Sequence, residues 1–225
     1  MTDRVLILIP PSEGKTAGGT YPPLKTIPPL TKELLKELQE EKDQAKLLGV
    51  KGAALEQAIN ANRSVTSAKT LPAMKRYSGV VYQGIDYETL KHKKRFDERV
   101  RIVSGLFGLV EPDQPIPDYK LKIEKLQAAQ RWKPLISEEL KNHFIIDLLP
   151  LAHKKAISYE KGKAIDFVRE KNGKKVPAGH FGKFIKGRFV RWLIENDITD
   201  PKEFKKFKEE GFIWTSEYFL KKKED

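Results

Sequence analysis

Residues 5–9, Val5-Leu6-Ile7-Leu8-Ile9, form an apolar run with no polar alternation. A strand buried on both faces reads this way, as the inner strands of an α/β sheet do. Residues 100–103, interrupted by Arg101, and 144–149, interrupted by Asp147, predict further strands, and residues 156–159 give a shorter one. Between these runs the spacing changes to that of a helix. After a Pro-rich loop to Leu30, Thr31 is placed to cap a helix that turns Leu34, Leu35, Leu38 and Ala45 inward. Residues 47–52 interrupt it, and residues 53–61 predict a second helix. A polar helix is expected from Ile136 toward Asn142. Asn172-Gly173, between extended segments 164–168 and 174–177, signals a hairpin. The second half of 179–194 is amphipathic, with Ile185, Phe189, Trp192 and Leu193 facing inward. Asp200-Pro201-Lys202-Glu203 opens a further helix that Gly211 ends, and 212–219 is a last strand before a charged tail. The alternation predicts an α/β fold: one compact domain over 1–225, with a mixed sheet flanked by helices.

Charge changes the picture more than composition does. Lys and Arg number 43 against 31 Asp and Glu, a net charge of +12, which suits a phosphate backbone or an acidic partner. A solvated surface of mixed sign is the alternative. Cysteine is absent, which excludes disulfides, a thiolate nucleophile and a Cys-based zinc site. No apolar stretch approaches ~20 residues, so no membrane span is expected, and the reading is a cytoplasmic protein.

Ile9-Pro10-Pro11-Ser12-Glu13-Gly14-Lys15-Thr16 ends on the Gly-Lys-Thr of a P-loop. The motif needs a glycine where Ile9 stands. It also needs a helix where Gly18, Gly19, Pro22 and Pro23 predict loop. A P-loop is therefore excluded, but a lysine and two hydroxyls still follow a strand end. Gly49 and Gly52, between two helices, resemble the turn of a helix-hairpin-helix, which offers backbone N–H groups to a phosphate. That turn usually has one residue between its glycines and here has two, so an ordinary helix connection stays open. Ser104-Gly105-Leu106-Phe107-Gly108 follows a strand end, where open α/β sheets build sites. Lys183, Lys186 and Arg188 crowd the expected first turns of the amphipathic helix. Exposed cations there oppose the macrodipole by about 0.3–1 kcal/mol each, unless an anion sits among them. The alternative is a helix that starts later, with these residues in a loop.

Four segments recur together in the order of a known family: Pro10 to Thr16; Tyr77, Gly79, Val81, Tyr82 and Gly84; Ser104 to Gly108 with Pro112 and Tyr119-Lys120-Leu121; and Lys183, Lys186 and Gly187. Gly211-Phe212 completes the set. The chain resembles the YaaA family of peroxide stress proteins over most of its length. The resemblance implies a single α/β domain with a basic cleft and a helix-hairpin-helix-like element. It also implies binding to double-stranded or distorted DNA and protection of DNA during hydrogen peroxide stress; no catalytic reaction comes with it. The chain departs from the family at Glu111, where an Arg is common. It departs again at Asp147-Leu148-Leu149-Pro150-Leu151-Ala152-His153, which loses most of a polar stretch, and a hydroxyl is missing near Ala178-Gly179.

The expected site brings Ser12, Lys15, Thr16, Tyr82, Ser104, Gly105, Lys183, Lys186, Gly187 and Arg188 to one cleft. Lysines supply point charges, Arg188 a bidentate fork and the glycines room for close approach. Tyr77 or Tyr82 either stacks on a base or packs in the core. Of the histidines at 92, 143, 153 and 180, only His180 lies beside a motif, and none forms a helical metal pair. No cofactor, metal site or obligate protein partner is expected. Two function classes follow: a DNA-binding stress protein, and an enzyme acting on a nucleotide or nucleic-acid base in the same cleft.

Overall fold

The computed structural model describes residues 4–221; residues 222–225 of the charged tail lie outside them. Strand β1 (Arg4–Ile9) is followed by a long loop and by helices α1 (Pro29–Glu40), α2 (Gln44–Leu48) and α3 (Ala53–Arg63). The two-residue strand β2 (Leu71–Pro72) leads into the short helices α4 (Ala73–Arg76) and α5 (Val80–Ile85). Helix α6 (Lys93–Arg99) runs directly into β3 (Val100–Ser104), and β4 (Gly108–Val110) folds back on β3. After β5 (Pro115–Ile116), which pairs with β2, come α7 (Ala128–Glu139) and β6 (His143–Asp147). Helix α8 (Leu151–Lys154), β7 (Lys161–Ala164) and the hairpin β8 (Phe167–Lys171)–β9 (Lys174–Pro177) lead into α9 (Gly179–Glu195). Strands β10 (Phe212–Trp214) and β11 (Phe219–Lys221) follow.

The first sheet has the order β4-β3-β1-β6-β7, with β1 central and parallel to both β3 and β6. Five of the six β1 residues are buried, which is why its sequence shows no alternation. Because the three inner strands run the same way, the loops that leave Ile9, Ser104 and Asp147 emerge at one sheet edge. The second sheet, β10-β11-β8-β9, lies under α9 through an aromatic cluster. Phe189 meets the rings of Phe167, Phe204, Phe207 and Phe219 at centroid distances of 5.9, 5.2, 5.1 and 5.0 Å. Each buried ring is worth about 1.5–3 kcal/mol of apolar burial, so α9 is firmly seated.

A second contact fixes α9 against the first half of the chain. Helices α5 and α9 cross at Gly84 and Gly187. A Cβ on Gly187 would stand 2.1 Å from the Val81 carbonyl oxygen, and one on Gly84 would stand 2.2 Å from that of Phe184. Gly187, expected in the site, is therefore a packing residue that lets two backbones touch.

Several expected elements shift, each for a local reason. Thr31 lies inside α1, whose first residue is Pro29, and its buried hydroxyl donates to the Leu106 carbonyl at 2.7 Å. The helix ends at Glu40, so Ala45 falls in α2. The Gly49–Gly52 turn does join two helices, with both glycines at positive φ, but the first of them is the five-residue α2. Helix α7 begins at Ala128 rather than Ile136: the buried stripe Ala128, Ala129, Trp132 and Ile136 holds it together across Pro134. Residues 156–159 form no strand, and the outer partner of β6 is Lys161–Ala164. The last strand is a hairpin, turned where Thr215 Oγ1 and N–H both donate to the Tyr218 carbonyl. The Asn172-Gly173 hairpin forms as expected, both residues at positive φ.

Candidate functional site

The loops at the sheet edge, together with α5 and α9, enclose a cavity of about 550 Å³. Five separated segments line it: residues 10–15 after β1, 79–82 at the start of α5, 119–124 before α7, 150–153 after β6, and His180, Lys183 and Lys186 of α9. Five lysines (15, 120, 122, 183 and 186) face two glutamates (13 and 124) across it, so its charge is positive.

The β1 loop is held from behind by Arg76, whose side chain is fully buried. Its guanidinium donates to the carbonyls of Thr16, of Gly18 at 2.8 Å and of Ile116 at 3.3 Å. Thr16 N–H donates back to the Arg76 carbonyl at 2.8 Å. Thr16 thus anchors the loop through its backbone and does not line the cavity. Lys15, one residue earlier, pairs with Tyr77 as an isolated bridge and sets its Nζ 4.4 Å from the centre of the Tyr119 ring. Burial draws its pKa down to about 8, with Asp118 opposing.

The floor is a hydroxyl chain. Tyr119 Oη lies 2.6 Å from Tyr77 Oη and 2.8 Å from Ser104 Oγ, which also accepts from the N–H groups of Leu106 and Phe107 at 3.2 and 3.0 Å. Ser104 is buried beneath Tyr119 and reaches the cavity only through it. Burial holds the Tyr119 phenol up at about 12. Gly105 also stands one layer back: its carbonyl accepts from Trp132 Nε1 at 3.0 Å, and a Cβ there would press on the Leu121 carbonyl at 2.7 Å. Tyr77 and Tyr82 are buried with bonded hydroxyls, Tyr82 Oη donating to the Pro10 carbonyl at 2.9 Å. Both tyrosines pack in the core, and Tyr82 also lines the cavity.

On the opposite wall, Lys186 Nζ donates to the Leu148 carbonyl at 2.6 Å. Burial lowers its pKa to about 8 as well, with Asp166 opposing. His153, near the end of the stretch that departs from the family pattern, lines the same wall. Burial pushes its pKa down to about 4, Glu124 opposing and Lys186 reinforcing, and its buried Nδ1 has no hydrogen-bond partner among the described residues. At the mouth, Glu13 pairs with Lys120 at 3.2 Å and Lys122 at 3.1 Å. Burial raises the Glu13 pKa, but the hydrogen bonds from those two lysines outweigh it and leave it lowered.

Of the expected residues, the cavity brings together Ser12, Lys15, Tyr82, Lys183 and Lys186, with His180 beside them. It leaves out Thr16, Ser104, Gly105, Gly187 and Arg188. Arg188 is turned away, with Nε 2.7 Å from Glu209. Helix α9 begins at Gly179, so Lys183 and Lys186 stand one and two turns inside it. The macrodipole acts within about one turn and does not account for them. Residues the sequence reading missed are Glu13, Tyr119, Lys120, Lys122 and His153. Tyr119 and Lys120 had a signal, since they sit in a matched motif; His153 had none. Among the described residues no three His, Asp or Glu side chains are grouped to hold a metal ion. No described helix is long and apolar enough to cross a membrane.

Four of the five segments that line this cavity carry motifs of the family pattern, and the match extends over most of the chain. The family model for peroxide stress protein YaaA matches residues 5–218. This chain belongs to the YaaA family. A UPF0246 protein of Corynebacterium glutamicum strain R is 36% identical over 211 residues, covering 84% of each chain. One from Corynebacterium efficiens is 33% identical over 227 residues, covering 88% of this chain and 87% of its own. One from Rhizorhabdus wittichii is 28% identical over 240 residues, covering 95% of each. The YaaA match takes in the strands of the first sheet from Val5 onward and every segment of the cavity, and stops at the residue before β11.

Proposed function

We propose that this YaaA-family chain is a DNA-binding peroxide-stress protein that protects DNA in the cytoplasm. On this reading its cavity accepts one nucleotide, with its phosphate, from a distorted strand. The observation that carries the reading is the meeting of Lys15, Lys183 and Lys186, from the β1 loop and α9, in one positive cavity of about 550 Å³. That volume is in the range of small-ligand pockets, about 300–1,000 Å³. It holds a nucleotide and is too small for an intact duplex. DNA that already displays an unstacked nucleotide avoids a penalty of a few kcal/mol for extruding one. Distorted DNA therefore binds better than regular duplex. The Gly49–Gly52 turn lies outside the cavity, with open space around both glycines. It offers a second, helix-hairpin-helix-like contact to a flanking phosphate.

A second reading, an enzyme acting on a nucleotide or base, is favoured by one observation. Lys15 and Lys186 are both drawn to a pKa of about 8, where a lysine can act as base or nucleophile.

The test is a fluorescence anisotropy titration with intact, single-base-bulged and single-stranded DNA of one sequence. The bulged duplex should bind tightest, and Lys183→Ala should weaken it. Equal affinity for all three, untouched by the substitution, would remove the cavity from DNA binding. Turnover of a free nucleotide without DNA retention would favour the enzyme.

A further inference from the structure

Lys15 differs from the other half-buried lysine of the cavity wall, Lys186. Lys186 donates one of its N–H groups to the Leu148 carbonyl, and Lys120 and Lys122 hold Glu13. Among the described residues Lys15 Nζ has neither a hydrogen bond nor an ion pair; its close neighbours are the rings of Tyr119 and Tyr77, at 4.4 and 5.8 Å. Lys183 is also unpaired but stands in solvent. The backbone beneath Lys15 is fixed by its bridge to Tyr77 and by Arg76, so the amine enters the cavity from a rigid base. A lysine meant only to hold phosphate gains from neighbours that keep it charged. Burial among rings does the reverse. With a pKa of about 8, on the order of a tenth of Lys15 is the neutral amine at pH 7. A neutral, unpaired amine in a cavity open to a ligand is the form that attacks a carbonyl.

We propose that Lys15 is a covalent site for an aldehyde: its amine forms a reversible imine with C1′ of a base-free deoxyribose in DNA. The proposal rests on the reading that a distorted strand enters the cavity. A base-free sugar in its open-chain form carries an aldehyde, and such sites are a product of oxidative damage. The Lys15 nitrogen lone pair attacks C1′, a C–N bond forms, and the carbonyl π pair moves to oxygen. The resulting carbinolamine loses that oxygen as water, which takes both amine hydrogens, and leaves a C=N bond. Amine and aldehyde give imine and water, with no oxidant or reductant. A sugar without its base is smaller than a nucleotide, and Lys183 and Lys186 are in the same cavity for its phosphates.

The experiment incubates the full chain with a duplex carrying one base-free deoxyribose, adds cyanoborohydride, and separates the products on a denaturing gel. One protein–DNA adduct is expected, mapping to Lys15 by peptide mass. Lys15→Arg should lose it at least tenfold while still retaining the duplex, and the surface variant Lys36→Ala should keep it. Adduct yield should rise from pH 6.5 to 8, as the amine deprotonates, while non-covalent retention falls. A wild-type chain that retains the duplex but gives no adduct overturns the proposal, as does an adduct on another lysine. A parallel arm uses 2-deoxyribose 5-phosphate in place of DNA. A selective Lys15 adduct there, without retention of any duplex, rejects the DNA reading and keeps the aldehyde site. No Lys15 adduct in either arm overturns the proposal whatever the chain binds.

Discussion

Replacing Lys186 by methionine leaves an unbranched apolar side chain one atom shorter and removes its charge. The wild-type lysine falls from the ordinary 10.5 to about 8 because burial penalises the ammonium. At about 1.4 kcal/mol per pKa unit, holding the proton in the folded state costs on the order of 3 kcal/mol at pH 7. Methionine escapes that penalty but leaves the Leu148 carbonyl without its donor at 2.6 Å, a loss of about 1 kcal/mol. The variant should therefore be more stable than wild type by about 2 kcal/mol at pH 7. The sign reverses in alkali. Between about 8 and 10.5 the unfolded chain binds more protons at this lysine than the folded chain, so wild-type stability rises with pH. Above that window the penalty is gone and the variant should be the weaker by about 1 kcal/mol. Urea unfolding of both chains at pH 7, 8, 9 and 10 reads the difference directly. Two curves that stay parallel across this range would refute the assignment of Lys186 as a buried, depressed lysine.

The α5–α9 crossing and the basic residue outside the cavity give two further expectations. Gly187→Ala puts a methyl 2.1 Å from the Val81 carbonyl oxygen, an overpacking that should cost about 3 kcal/mol or more; a urea midpoint within error of wild type would contradict the close crossing. Arg188→Ala breaks only a partly exposed pair with Glu209, so stability should fall by less than about 1 kcal/mol. Its affinity for bulged DNA should change by less than about twofold, and a tenfold loss in the same titration would return Arg188 to the site.

The sequence announced the sheet more clearly than the cavity. β1, β3 and β6 were legible because strands covered on both faces are mostly apolar, β3 and β6 keeping only Arg101, Ser104, His143 and Asp147 as polar residues, and Asn172-Gly173 because few residues tolerate two positive φ angles. Lys15, Lys183 and Lys186 were found by type and motif, and their convergence needed only that they belong to parallel-strand ends and to the helix packed over them. Gly187 and Ser104 were misplaced for one reason: a motif marks a constrained position without saying whether the constraint is a ligand or a neighbouring backbone. The close crossing at Gly84 and the hydroxyl chain to Tyr119 exist only in three dimensions. His153 carried no local signal, since the burial of its Nδ1, without a hydrogen-bond partner among the described residues, comes from tertiary packing.

On the proposed function, lysines from distant segments form one anion-binding cavity for DNA. That claim is tested most directly by the salt dependence of affinity for a bulged duplex, wild type against Lys15→Ala/Lys183→Ala/Lys186→Ala, at pH 7. Each phosphate contact contributes about 0.9 to the slope of log affinity against log salt, so the triple variant should bind more weakly and with a slope shallower by about 2–3. Equal affinity and an unchanged slope would contradict the claim.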